Sequence, residues 1–237
     1  MTYPDKTVYP VASCNDTDFK NIMDVYMDAV FYPNIYQHEE IFRQEGWSYK
    51  MDSLEDDLAY NGVVYNEMKG AFSSPDEVLE REIMNHLFPD TTYGCESGGD
   101  PKNIPDLTYE NFLNFHRTYY HPSNSYIYLY GNMDMEEKLA FLDEHYLSHF
   151  DYLDVDSVIQ EQKAFGACQD VTLEYPVAEN EGEEDNTYLS YNMVVGNAAD
   201  SQMAMAFEVL DYALLSAPGA PLKQALLDVK AGKDVYG

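Results

Sequence analysis

Apolar residues recur at helical spacing after Asn15-Asp16-Thr17-Asp18, a cluster suited to capping a helix: Phe19, Ile22, Met23, Tyr26 and Val30 fall on one side. Tyr32-Pro33-Asn34 ends that helix, because proline cannot continue it. A second helix is predicted over residues 37–44, followed by a short extended piece, Trp47-Ser48-Tyr49-Lys50-Met51. A third begins after Asn61-Gly62 and carries Val63-Val64-Tyr65-Asn66-Glu67-Met68-Lys69. Ser74-Pro75-Asp76-Glu77 restarts a helix, with serine as cap, proline in the first turn and acids at the positive end of the dipole.

Residues 90–105 are rich in Gly, Pro, Asp, Ser and Thr and predict a long ordered loop centred on Ser97-Gly98-Gly99-Asp100-Pro101. Helices are predicted over 108–120 and 135–149, with a strand between them at Tyr126-Ile127-Tyr128-Leu129-Tyr130. Residues 151–166 read as a link to a second domain. That domain would open with strands at 171–175 and 187–195 around an acidic turn, 179–185, and continue with an amphipathic helix over 202–215. Two strands and a helix or two cannot close a sizeable core, so the second domain is expected to be only begun. Domains are therefore drawn at 1–165 and 166–237, and the mixture of helices and hairpin-connected strands predicts an α+β fold.

Charge narrows the function. The chain has 43 acidic against 13 basic residues, a formal net charge of −30, which repels nucleic acid and anionic membrane surfaces. Neither is expected as a partner. Cys14, Cys95 and Cys168 lie far apart without a C-x-x-C pair, so no disulfide scaffold or cysteine-based zinc site is indicated, and a reducing compartment is the simpler reading. No run of eighteen apolar residues occurs and Met1-Thr2-Tyr3-Pro4-Asp5-Lys6 lacks a signal-peptide shape, so a cytoplasmic rather than a secreted chain is expected.

Several motif-like features carry little chemistry. Ser97-Gly98-Gly99-Asp100-Pro101 lacks the G-x-x-x-x-G-K-[ST] pattern of a phosphate cradle and reads as a structural turn. His145 and His149 are four apart and would share a helix face, but no third ligand is near in sequence. Neither Asp16-Thr17-Asp18 nor the acidic run 52–57 has calcium-loop spacing. The 22 tyrosines read as packing and amphipathic surface. Glu67 taken alone is an ordinary helical glutamate.

Gly62-Val63-Val64-Tyr65-Asn66-Glu67-Met68-Lys69-Gly70 resembles the segment that carries the downstream zinc-ligating glutamate of the pitrilysin/insulinase family of zinc metallopeptidases, in its presequence-protease branch. Other stretches resemble the family in the same order: Tyr9-Pro10-Val11-Ala12-Ser13, Gln44-Glu45-Gly46-Trp47, Ser97-Gly98-Gly99-Asp100-Pro101, His121-Pro122-Ser123-Asn124, Pro218-Gly219-Ala220-Pro221-Leu222-Lys223 and the tail Gly232-Lys233-Asp234-Val235-Tyr236-Gly237. The resemblance implies LuxS/pitrilysin-like units, helices packed on a mainly antiparallel sheet. It also implies a metalloendopeptidase acting on unstructured peptides, with zinc as cofactor, Glu67 as third metal ligand and Asn66 and Lys69 as groups supporting that ligand. Met1 to Thr7, with Thr2 and Tyr3, resembles the end of a strand that pairs with substrate backbone.

One departure matters. None of His38, His86, His116, His121, His145 and His149 begins the H-x-x-E-H motif that supplies two zinc ligands and the general base. In the family that motif lies upstream of the part resembling residues 1–13, so the chain is expected to be an internal piece of a longer polypeptide. It is expected to lack peptidase activity by itself and, expressed alone, to associate through exposed apolar surface. The alternative reading is a non-catalytic structural or partner module of the same family.

Overall fold

The computed structural model describes residues 1–177, 182, 184, 186–230, 232 and 234–236. It divides into two compact units, Met1–Leu189 and Ser190–Gly237. The first contains helices α1 (Asp16–Phe31), α2 (Glu39–Glu45), α3 (Val63–Ala71), α4 (Pro75–Leu87), α5 (Tyr109–Tyr119) and α6 (Met135–His145), with a two-stranded antiparallel sheet, β1 (Ser48–Lys50) and β2 (Ala59–Asn61). Ser48 pairs with Asn61, Tyr49 with Tyr60 and Lys50 with Ala59. The second contains α7 (Ser201–Asp211), a π turn over Tyr212–Ser216 and α8 (Pro221–Val229). The architecture is helix-rich α+β.

The helix starts follow local chemistry. Asn15 accepts from the Asp18 N–H at 3.0 Å, and Asp134 from the Glu137 N–H at 3.1 Å. Thr108 and Asn111 form a reciprocal capping box at the head of α5. Ser74 departs from expectation: its side chain makes no cap bond, and α4 begins instead on Pro75 with Asp76 and Glu77 in its first turn. The helix predicted over 135–149 stops at His145 and gives way to a short 3₁₀ turn, Leu147–His149.

Buried apolar side chains of the first unit are Met23 and Phe31 on α1, Phe42 on α2, Ile104, Leu113 on α5, Leu142 on α6, and Tyr146. Tyr26, placed on the apolar stripe by sequence, is 39% exposed. A polar face flanking the stripe joins α1 to α6 on successive turns. Lys138 Nζ lies 3.1 Å from Asp16, Lys20 Nζ lies 3.3 Å from Glu137, and the Tyr146 hydroxyl donates to the Asp24 carbonyl at 2.9 Å. Asp16, Lys20 and Asp24 are four apart, which puts them on one face. Lys138 is only 1% exposed while Asp16 is 74% exposed, so the whole lysine, its ammonium included, is buried beneath a carboxylate that itself faces water. Burial, and then the bond with Asp24, raise the Tyr146 phenol well above its usual range.

The strands expected at 126–130, 171–175 and 187–195 are not formed: among the described residues only β1 and β2 make a ladder. A strand exists only through a backbone ladder to its neighbour, and none forms here among the described residues, although the Tyr175 and Tyr188 rings meet at 5.6 Å. Tyr126 is fully exposed, and Tyr128 and Tyr130 are more than four-fifths exposed. The helix predicted over 202–215 runs from Ser201 to Asp211 and then widens into the π turn. The acidic turn at 179–185 lies outside the described residues apart from Gly182 and Glu184.

Two variants that delete the same ion pair are expected to differ. Lys138→Met keeps the packed stem and costs less than about 1 kcal/mol, whereas Asp16→Asn leaves a buried ammonium poorly compensated and costs about 2–4 kcal/mol. Urea unfolding midpoints of the two variants check the order.

Candidate functional site

Helix α3 is seated by a close backbone contact at its head. Gly62 is buried with φ +153°, and a Cβ there would stand 2.2 Å from the Gly46 carbonyl oxygen and 2.8 Å from Trp47 Cα. Only glycine fits such a place. The Gly46 carbonyl also accepts from the Tyr65 N–H at 3.3 Å, and the Gly62 carbonyl accepts from the Asn66 N–H at 3.0 Å as the first helical bond. Two stretches that the sequence offers separately, 44–47 and 62–70, therefore meet at one point.

Aromatic side chains brace that junction. The Trp47 indole N–H donates to the Leu107 carbonyl at 2.8 Å, and its ring meets Tyr49 and Tyr60 edge-on at 5.5 and 5.9 Å. Tyr60 stacks on Tyr49 at 5.4 Å and touches Tyr65 of α3 at 5.7 Å. On another side, the 97–101 loop comes against α3: a Cβ on Gly98 would fall 2.2 Å from Met68 Sδ, and Gly99, at φ +90°, lies against the buried Ile104. The loop is a structural turn, and its glycines let backbone approach the residue next to Glu67.

Glu67 is exposed and makes no hydrogen bond or ion pair among the described residues. Its neighbours do not engage it. Asn66 Nδ2 donates to Asn61 Oδ1 at 3.2 Å, holding the β2–α3 corner, and Lys69 is exposed. Among the described residues no group of three His, Cys, Asp or Glu side chains could hold a metal ion. These residues alone do not fit zinc, which needs three protein ligands and an open position. What they supply is one uncommitted carboxylate on a fixed helix.

Thr2 and Tyr3 lie elsewhere in the first unit, in a small hairpin. Thr2 bridges Thr7 in antiparallel fashion, with the Tyr3 N–H donating to Lys6 at 2.8 Å and the Val8 N–H to Met1 at 2.9 Å. His145 and His149 do not share a helix face, because α6 ends at His145; the His145 ring stacks on Phe141 at 4.5 Å. β2 and the contact between Gly46 and Gly62 were not visible in the sequence pattern. Their signal was two glycines, each in a family-like stretch, with nothing to say that they touch.

The family profile described as "Peptidase M16 inactive domain" matches residues 106–237, more than half of the chain. The chain belongs to the M16 peptidase family, and within it to the presequence-protease-like branch. It is 56% identical to "Protein HypA" of Clostridium perfringens over 100% of this chain and 24% of that protein. It is 43% identical to "Presequence protease 1, chloroplastic/mitochondrial" of Arabidopsis thaliana over 98% of this chain and 22% of that protein, and 36% identical to "Presequence protease, mitochondrial" of Xenopus laevis over 99% and 23%. The chain spans about a quarter of the length of these curated relatives. No helix among the described residues is long and apolar enough to cross a membrane.

The two glycines flanking this region are expected to behave oppositely. Gly62→Ala drives a Cβ into the Gly46 carbonyl and costs more than about 2 kcal/mol. Gly70→Ala, where a Cβ meets nothing within 4 Å, stabilises helix α3 by about 0.5–1 kcal/mol. Chemical denaturation of both variants reads the sign.

Proposed function

We propose that the chain is the part of a zinc-dependent metalloendopeptidase that supplies the third metal ligand, Glu67. The two histidines and the general base would come from an H-x-x-E-H motif elsewhere in the polypeptide. The observation that carries this reading is the state of Glu67: an exposed carboxylate without a protein partner, on a helix whose position is set by backbone contact at Gly62. An exposed helical glutamate is ordinary taken alone, and the resemblance of residues 62–70 to the family's ligand-bearing segment is what singles out Glu67. Asn66 would keep the ligand's helix in register through Asn61, and Lys69, two residues along α3 and on another face, would add only long-range positive charge. When bound, zinc supplies a polarising Lewis acid.

Residues 1–165 would belong to the N-terminal peptidase domain, of LuxS/pitrilysin type with helices on a larger antiparallel sheet, and 166–237 to the start of the next. The unpaired apolar stretch 126–130 supports this, since it has the composition of a strand and lacks only a neighbour. Substrates would be unstructured peptides, as the names of the presequence proteases suggest. The exposed, unpaired Cys14, Cys95 and Cys168 favour a reducing compartment.

A second reading is a non-catalytic module. The matched profile is described as an inactive domain, and the described residues bring no metal cluster together.

Zinc content and hydrolysis of an unstructured fluorogenic peptide separate the two, measured on the chain alone and on the chain joined to the H-x-x-E-H-bearing segment. The expected outcome is no stoichiometric zinc and no cleavage for the chain alone, with one zinc and cleavage for the joined form. Glu67→Gln should abolish cleavage and lower zinc affinity at least about tenfold. A joined form that neither binds zinc nor cleaves makes the module reading the correct one.

A further inference from the structure

The hairpin at residues 1–9 has an unused edge. Thr2 and Thr7 face each other as a non-hydrogen-bonded pair, because the bonds flanking them run from Tyr3 to Lys6 and from Val8 to Met1. In such a pair each residue's own N–H and C=O point away from its partner, toward the outer edge. No other group among the described residues takes up those of Thr2.

A two-stranded piece this short does not hold its own direction in water. Here two tyrosine hydroxyls from distant parts of the chain hold it. At the turn, the Tyr93 hydroxyl donates to Asp5 Oδ2 at 3.0 Å. At the base, the Tyr9 and Tyr120 hydroxyls are bonded to each other at 2.9 Å.

Both anchors are themselves fixed. Tyr93 sits on a 3₁₀ turn, Thr92–Gly94, and its own N–H donates to the Thr91 hydroxyl at 3.3 Å; its ring meets Phe88 at 5.9 Å, and a Cβ on Gly94 would stand 2.3 Å from the Phe88 carbonyl. Tyr120 ends α5 and stacks on the His116 ring at 4.7 Å. That imidazole is held at both nitrogens, by the Val30 carbonyl at 2.9 Å and the Tyr36 hydroxyl at 2.7 Å. Burial, and then the bond with Tyr120, lift the Tyr9 phenol far above its ordinary range.

We propose that Tyr93 and Tyr120 are positioning residues for peptide binding: through Asp5 and Tyr9 they hold the 1–9 hairpin so that the free edge of Thr2 can pair with an extended peptide backbone. This rests on reading Thr2 and Tyr3 as the strand that takes the substrate. Neither tyrosine touches the peptide. Their hydroxyls act by limiting the directions the edge can adopt, which lowers the ordering cost when a strand adds to it.

Amide hydrogen exchange by NMR on this chain, with and without an unstructured peptide, tests the proposal without needing zinc. In the wild type, the Thr2 amide should exchange freely and slow on peptide addition. In the Tyr93→Phe/Tyr120→Phe double variant, which keeps both rings, the Tyr3 and Val8 amides should exchange at least about fivefold faster and peptide affinity should fall by a similar factor, with an unchanged melting midpoint. Asp5→Asn, which can still accept from Tyr93, should retain binding, whereas Asp5→Ala should not. Equal peptide protection in the wild type and the double variant, or no protection of Thr2 in the wild type, overturns the proposal. In the zinc-bearing joined form the double variant should raise KM and leave kcat and zinc content unchanged. Failure of the joined form to bind zinc or cleave counts against the peptidase reading and leaves the exchange result to decide the role of the anchors.

Discussion

Everything around Glu67 depends on a contact between two backbones with no side chain between them. Gly62 lies so close to the Gly46 carbonyl that even a methyl group could not be accommodated, and from that point α3 departs in a fixed direction. Tyr65 and Asn66 take their first bonds there, and the aromatic cluster of Trp47, Tyr49 and Tyr60 closes over the same corner. Side-chain packing alone would allow a helix to rotate by a fraction of a turn. A carbonyl seated against a glycine does not, so the backbone that carries Glu67 has one setting.

The remainder of the first unit is joined by polar contacts as much as by its core. The buried apolar set is small, and the seam between α1 and α6 is made from Lys138, Glu137 and Tyr146 against Asp16, Lys20 and Asp24. Such pairs contribute modestly to stability, but they specify which turn of α1 meets which turn of α6. Meanwhile, apolar side chains at 126–130, along 187–195 and on α7 face water.

Helices were legible because their signals are local. Asn15, Thr108, Pro75 and the spacing of apolar residues act within a few positions, so α1, α2, α3, α4, α5 and α6 could be placed within a few residues. The errors were also local: Ser74 makes no cap, and α6 ends a turn early at His145, which separates the two histidines that spacing had put on one face. Strands were less legible. Tyr126 to Tyr130 has the composition of a strand, but a ladder needs a second chain segment beside it, a condition composition does not contain.

The sequence by itself determined the family, the helix positions and the acidic composition, because each of these rests on residue identity or short-range spacing. Tertiary structure alone decided that Gly46 and Gly62 touch, that Gly98 admits the loop to Met68, and that Tyr93 and Tyr120 reach back to Asp5 and Tyr9. Those contacts join residues from about fifteen to more than a hundred positions apart in the chain. Their partners are chosen by the path of the backbone through space, and nothing in the local pattern of either partner encodes that path.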